Sequence, residues 1–137
     1  MKQPPIPVVA AVVRRGGRFL VGRRPAHKRH GGLWEFPGGK VGEGESLLEA
    51  ARRELAEELS LRTNAIGRTL FTAGDGDAPF VIHFIEVEIE GEPDPHEHTE
   101  LGWFTRAELG EVALAPADAA FVEELGRRAA AGHESRR

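Results

Sequence analysis

Apolar and polar positions divide the chain into segments of two different periods. Pro7 to Arg24, "PVVAAVVRRGGRFLVGRR", reads as two β-rich runs joined at "RRGGR", with Gly16-Gly17 as the hairpin signal. Leu33 to Phe36 is a short extended piece, and the glycines around Pro37 predict a loop after it. The period then changes. Ser46 with Glu49 three residues later is a capping-box start, and Leu48, Ala51, Leu55 and Leu59 recur at spacings of three and four. Strand content returns in "AIGRTLFT" (65–72) and "PFVIHFIEVEIEG" (79–91), where Val81, His83, Ile85, Val87 and Ile89 share one phase. "LGWFT" (101–105) is a further short strand, and "PADAAFVEELGRRAA" (116–130) a closing helix with Pro116 in its first turn. Strands, helix, strands, helix predict a mixed α/β domain.

The 137 residues suit one domain, 1–137, with a core from about 8 to 128. "MKQPPIP" reads as a leader into the first strand and "AAAGHESRR" as a frayed helix end with a polar tail. The run Val8 to Val13 is too short to span a bilayer, so no membrane partner is expected. A net charge of −4 offers no global basic field, which argues against stable nucleic-acid binding. The absence of cysteine removes disulfides, thiolate nucleophiles and cysteine-held metals, and fits a cytoplasmic protein.

The candidate chemistry sits in "RRELAEEL", Arg52 to Leu59. Glu54, Glu57 and Glu58 fall on one side of the predicted helix, where like charges a turn apart cost about 0.2–0.5 kcal/mol per pair. Such a cluster is either a solvated face or a seat for a cation. Mg²⁺ takes one or two carboxylates together with waters and substrate phosphates, so the cluster suits it, with the glycine loop nearby giving close backbone approach. His96 and His98 form an H-x-H with no third ligand pattern and read as surface residues; His83 either lines a pocket or packs.

Gly39, Glu45, Arg53-Glu54-Leu55, Glu57-Glu58 and Leu61 follow the spacing G-x5-E-x7-R-E-U-x-E-E-x-G-U, with U aliphatic. This resembles the signature of the Nudix hydrolases. Eight of its nine specified positions agree over 23 residues, the exception being Ser60 in place of the last glycine. "LWEFPGGK", "EHTELGWF" and "LAPAD" extend the resemblance to the MutT-like nucleotide pyrophosphohydrolases, from about Val8 to Leu125. Serine in a left-handed helix cap would cost on the order of 1 kcal/mol, a local matter that removes no ligand.

The resemblance implies an α/β/α sandwich around a mixed sheet, and hydrolysis of nucleoside triphosphates to monophosphate and pyrophosphate with Mg²⁺, for which Mn²⁺ can substitute. Its substrates would be oxidised nucleotides such as 8-oxo-dGTP, or cytidine nucleotides, which "APAD" favours. It implies Gly38 (through its carbonyl), Glu54, Glu57 and Glu58 as metal ligands, Glu45 and Arg53 as an orienting ion pair, and Glu54 or Glu97 as catalytic base. For Glu97, a plain polar loop is the alternative. It implies Arg24, Glu35 and Asp118 as base contacts, Asp118 being open also to a helix N-cap role. As a carboxylate, Asp118 would only accept hydrogen bonds and so select a base edge that offers donors. Trp34, Phe36 and Trp103 either stack on a base or belong to the core. A monomer or homodimer is expected. The alternatives are hydrolysis of an ADP-sugar or dinucleoside polyphosphate, or a catalytically silent nucleotide- or protein-binding domain.

Overall fold

The computed structural model describes residues 4–135, with side chains to residue 132. Met1 to Gln3 of the expected leader and the last two residues of the expected tail lie outside the described residues. The central strand is β1 (Ile6–Val12), in a mixed sheet of order β5-β1-β7-β6. It runs parallel to β7 (Ala78–Glu90) and antiparallel to β5 (Gly38–Lys40), while β6 (Arg62–Asp75) pairs antiparallel with β7. A second, antiparallel sheet joins β2 (Arg14–Arg15), β3 (Arg18–Arg23) and β4 (Trp34–Glu35), with β8 (Glu100–Phe104) on β3. The two β-rich runs read at the start therefore belong to different sheets. Gly16 and Gly17 turn between β2 and β3 at φ 59° and 76°, the positive pair a tight hairpin requires.

β1 is apolar throughout because helices cover both faces of its sheet. Val9 and Ala11 face α1 (Leu47–Leu59), packing with Ala50, Ala51, Leu55 and Leu59. Ala10 and Val12 face α3 (Pro116–Ser135), where Phe121 stacks on Phe84 at 4.6 Å and also meets Phe36 and Phe71. The layers are thus helix, sheet, helix. A four-residue helix, α2 (Arg106–Leu109), carries its own capping box between Thr105 and Glu108, and is too short to leave a periodic signal in the sequence.

Three expectations are corrected. "GGK" is strand β5 rather than loop, because a glycine without Cβ can lie flat on β1; a Cβ on Gly38 would overlap the Val9 carbonyl oxygen. β6 and β7 extend to a turn at Gly76-Asp77, although "TAGDGDA" carries no alternation. α3 continues to Ser135, so the expected tail is helical as far as it is described.

α1 starts as its capping box dictates, with Ser46 and Glu49 bonding each other's backbone N–H. It ends at Ser60 in the left-handed conformation, φ 55°, where the Leu61 N–H reaches back to the Leu55 carbonyl. The strain is kept, and Ser60 Oγ lies 2.6 Å from His96 Nε2. Ser60→Gly should relieve about 1 kcal/mol of backbone strain while giving up that exposed hydrogen bond. A net gain below about 1 kcal/mol, seen as a Tm rise of a few degrees in thermal melts, is expected.

Candidate active site

α1 presents its acids with graded exposure. Glu58 follows Leu55 by three and Ala51 by seven, so it lies at the margin of the apolar stripe and is buried. Glu57 falls on the far margin, with a side chain 60% exposed. Glu54 lies between them against Gly39, where a Cβ would come within 2.5 Å of its carboxyl group. The first glycine of the spacing is therefore room for Glu54.

Arg53 organises the loop and the cluster. Its Nε and Nη2 donate to the two oxygens of Glu45 at 2.8 Å each, its Nη1 to Glu54 Oε1 at 2.7 Å, and its Nη2 also to the Lys40 carbonyl at 2.9 Å. The Glu45 carboxylate also accepts from the Gly42 N–H at 2.7 Å. Held chiefly by Arg53, Glu45 titrates at about 2.

Glu58 is the opposite case. Burial, followed by the neighbouring carboxyls of Glu54, Glu35 and Glu97, pushes it well above the usual carboxylate range. Among the described residues its Oε2 has no hydrogen-bond partner. A buried oxygen without a donor, touching a second carboxyl at the lip of a cavity, is the donor set a hard divalent cation takes, and the residues fit one. Among the described residues no group of three or more acids, histidines or cysteines is placed to hold a metal ion.

His98 corrects the surface reading. Its ring is buried on the backbone of Gly22, where a Cβ would come within 2.5 Å, and its Nε2 lies 2.9 Å from Glu35 Oε2. Glu35 Oε1 in turn accepts from Arg24 Nη1 at 2.8 Å. His96 is exposed, and the Asp94 and His96 N–H groups satisfy the last carbonyls of α1 at Leu59 and Glu58.

Beside this cluster opens a cavity of about 490 Å³. Gly38, Gly39, Glu54 and Glu97 line it, Gly39 lying against Glu54; so do Arg24, Glu35, Phe36 and Asp118, joined by the Arg24–Glu35 and Phe36–Asp118 hydrogen bonds. Glu45, Arg53, Glu57 and Glu58 are not in its lining; Arg53 is tied to it through Glu54. Trp34 packs edge-on against Phe104, Trp103 lies under Arg15, and His83 is on the α1 face of β7; none of the three lines the cavity. A hollow of about 560 Å³ beyond α1, at Arg52, Arg62 and Asn64, holds none of the candidate residues.

Residues 4–125 match the family model described as the NUDIX domain. The chain belongs to the Nudix family. It is 37% identical over 121 residues to a CTP pyrophosphohydrolase of Escherichia coli, covering 86% of this chain and 89% of that one. It is 38% identical over 124 residues to a Mycobacterium tuberculosis protein provisionally named 8-oxo-dGTP diphosphatase 2, covering 88% and 87%. In structure it is similar to the E. coli ORF135 protein, with TM-score 0.79 and 36% identity over 93% of this chain and 94% of that one.

Within this Nudix domain, several cavity residues carried no signal in the sequence. Phe80 and Ile82 bring apolar wall and Lys40 positive charge; on the loop before β4, Lys28 and Arg29 add positive charge and His30 an imidazole. Asp75, at the tip of the β6–β7 hairpin, holds the loop that carries them: Oδ1 lies 2.9 Å from His30 Nε2 and Oδ2 accepts from Arg29 Nε at 3.1 Å. Only the fold shows that a hairpin tip reaches a loop 45 residues away.

Asp118 is the third residue of α3, so the N-cap reading is corrected. Its Oδ2 accepts from the Phe36 N–H at 2.9 Å, and burial raises its pKa to about 8. At neutral pH the group is therefore mainly protonated and can donate as well as accept, unlike the acceptor-only carboxylate expected from its residue type. A folded pKa above the unfolded value of 3.8 means that stability falls as pH rises from about 4 to 8. Asp118→Asn removes that dependence. Its gain over wild type should grow across this window to on the order of 2 kcal/mol at pH 8, measured by urea unfolding at stepped pH.

Proposed function

We propose that the cavity binds a pyrimidine nucleoside triphosphate, cytidine foremost, and that the chain hydrolyses it to monophosphate and pyrophosphate with Mg²⁺, for which Mn²⁺ can substitute. The chain is a hydrolase of phosphoric anhydride bonds acting on nucleotides, as its family and its named relatives indicate. The choice of base rests on Asp118, which lines the cavity, is held by the Phe36 N–H and is buried where its protonated form is favoured. Its hydroxyl can donate to cytosine N3 while its carbonyl oxygen accepts from the N4 amine, a two-point match. The N1–H and N2 amine of a guanine both donate, and they match an ionised Asp118 instead.

The proposed cation ligands are Glu54, Glu57, Glu58 and the Gly38 carbonyl. When bound, such a cation offsets phosphate charge, polarises phosphoryl oxygens and lowers the pKa of a bound water. Arg53, fixed on Glu45, holds the Glu54 carboxylate in place beside the cavity. Arg24, Lys28, Arg29 and Lys40 offset the charge of the incoming triphosphate. The attacking water gives its proton to Glu54 or Glu97 while its oxygen bonds the β-phosphorus. The bond from β-phosphorus to the α-bridging oxygen breaks, leaving nucleoside monophosphate and pyrophosphate.

A second reading, hydrolysis of 8-oxo-dGTP, is favoured by the M. tuberculosis relative's name. Competition between CTP and 8-oxo-dGTP, followed from pH 6.5 to 9, decides between them. A preference for CTP that declines as Asp118 ionises is expected. A preference for 8-oxo-dGTP at every pH would overturn the assignment of base.

A further inference from the structure

The polar chain Arg24–Glu35–His98–Glu58 runs from the substrate end of the cavity to the carboxylate cluster, and every link except the last is a hydrogen bond. His98 Nε2 faces both carboxylates, at 2.9 Å from Glu35 Oε2 and 4.0 Å from Glu58 Oε1. Glu35, ion-paired with Arg24, accepts and does not donate, so the ring hydrogen stands on Nε2. The ring has little freedom to move, because it is buried in the space left by Gly22 and its following residue, Thr99, donates its N–H to the Arg23 carbonyl at 3.0 Å. Among the described residues Nδ1 has no partner, and the polar contacts of the ring are with the two acids on its other side.

We infer that His98 is a positioning residue that ties the two ends of the site together: it fixes Glu35, and through it Arg24, for the nucleotide, and it faces Glu58 for the cation. The inference rests on the reading under Proposed function and adds a residue to it. His98 touches neither substrate nor reacting atoms. It holds the acids so that the nucleotide end and the cation end share one geometry, as outer hydrogen-bond partners of metal ligands do.

Two amide variants separate this role from packing. In His98→Gln the side-chain amide nitrogen reaches to where Nε2 stands; in His98→Asn it reaches only to Nδ1. Mn²⁺ binding to the protein alone, by EPR titration, reports the cation end. Calorimetric binding of CTP with a methylene bridge between its α- and β-phosphates, in chelator, reports the nucleotide end. His98→Asn is expected to weaken both by roughly tenfold, and His98→Gln to stay within about threefold of wild type in both. Equal behaviour of the two variants, or a loss confined to one ligand, would overturn the inference. If wild type bound Mn²⁺ but not the CTP analogue, the proposed substrate would fall, while the Mn²⁺ arm would still decide whether His98 serves Glu58.

Discussion

Glu58→Gln is expected to give a more stable chain that no longer turns over nucleotide. In the folded chain, Glu58 is a buried carboxyl group with an unpartnered oxygen, crowded by Glu54, Glu35 and Glu97. Glutamine keeps the shape and removes the ionisable group, so the variant should gain on the order of 1–3 kcal/mol without divalent ions. Turnover should fall by roughly 10² or more, the scale of losing one preorganised charge-stabilising group. If Glu58 is the cation ligand proposed above, the two effects share one cause: a position costly to the fold that serves only the cation. Mg²⁺ should therefore raise the Tm of wild type and leave that of Glu58→Gln nearly unchanged. Calorimetric melts with Mg²⁺ and with chelator, read beside kcat, test both halves.

Arg53→Ala should damage fold and activity together. It removes four hydrogen bonds and leaves Glu45 and Glu54 without their guanidinium. Arg53 is partly exposed, so solvent screening keeps the stability loss near about 2 kcal/mol. The loss in kcat should be on the order of 10–100-fold, because Glu54 is no longer held in place. Arg53→Lys keeps the charge but cannot bond both Glu45 oxygens in a fork, and should recover only a minor part. The pH dependence carries its own sign. Glu45 titrates at about 2 when folded against 4.5 when unfolded, so its contribution is complete above pH 4.5 and is lost as pH falls towards 2. Without Arg53 that decline should flatten, which unfolding curves at stepped acid pH would reveal.

What was legible in the sequence is what depends on local spacing. Ser46 and Glu49 set the start of α1, and the spacing from Gly39 to Leu61 singles out Glu45, Arg53, Glu54, Glu57 and Glu58; that Gly39 makes room for Glu54 is seen only in the fold. The mixed α/β class followed from element order, and the helix–sheet–helix layering from the family resemblance. What stayed hidden depends on contacts between distant segments. His98 sits in the polar stretch "PDPHEHTE" and is nevertheless buried, because Gly22 leaves a space on a strand 76 positions earlier that its ring fills. Asp75 carried no signal in the sequence; the long hairpin brings it to Arg29 and His30. The neutral state of Asp118 is set by the burial of α3's first turn against Phe36, which no residue near it announces.

The most direct measurement is product analysis after incubating the purified chain with CTP, in Mg²⁺ and in chelator. CMP and pyrophosphate in equal amounts, formed only with Mg²⁺, is the expected result. CDP with orthophosphate, or turnover that persists in chelator, would contradict the proposed site of attack or the role given to the carboxylate cluster.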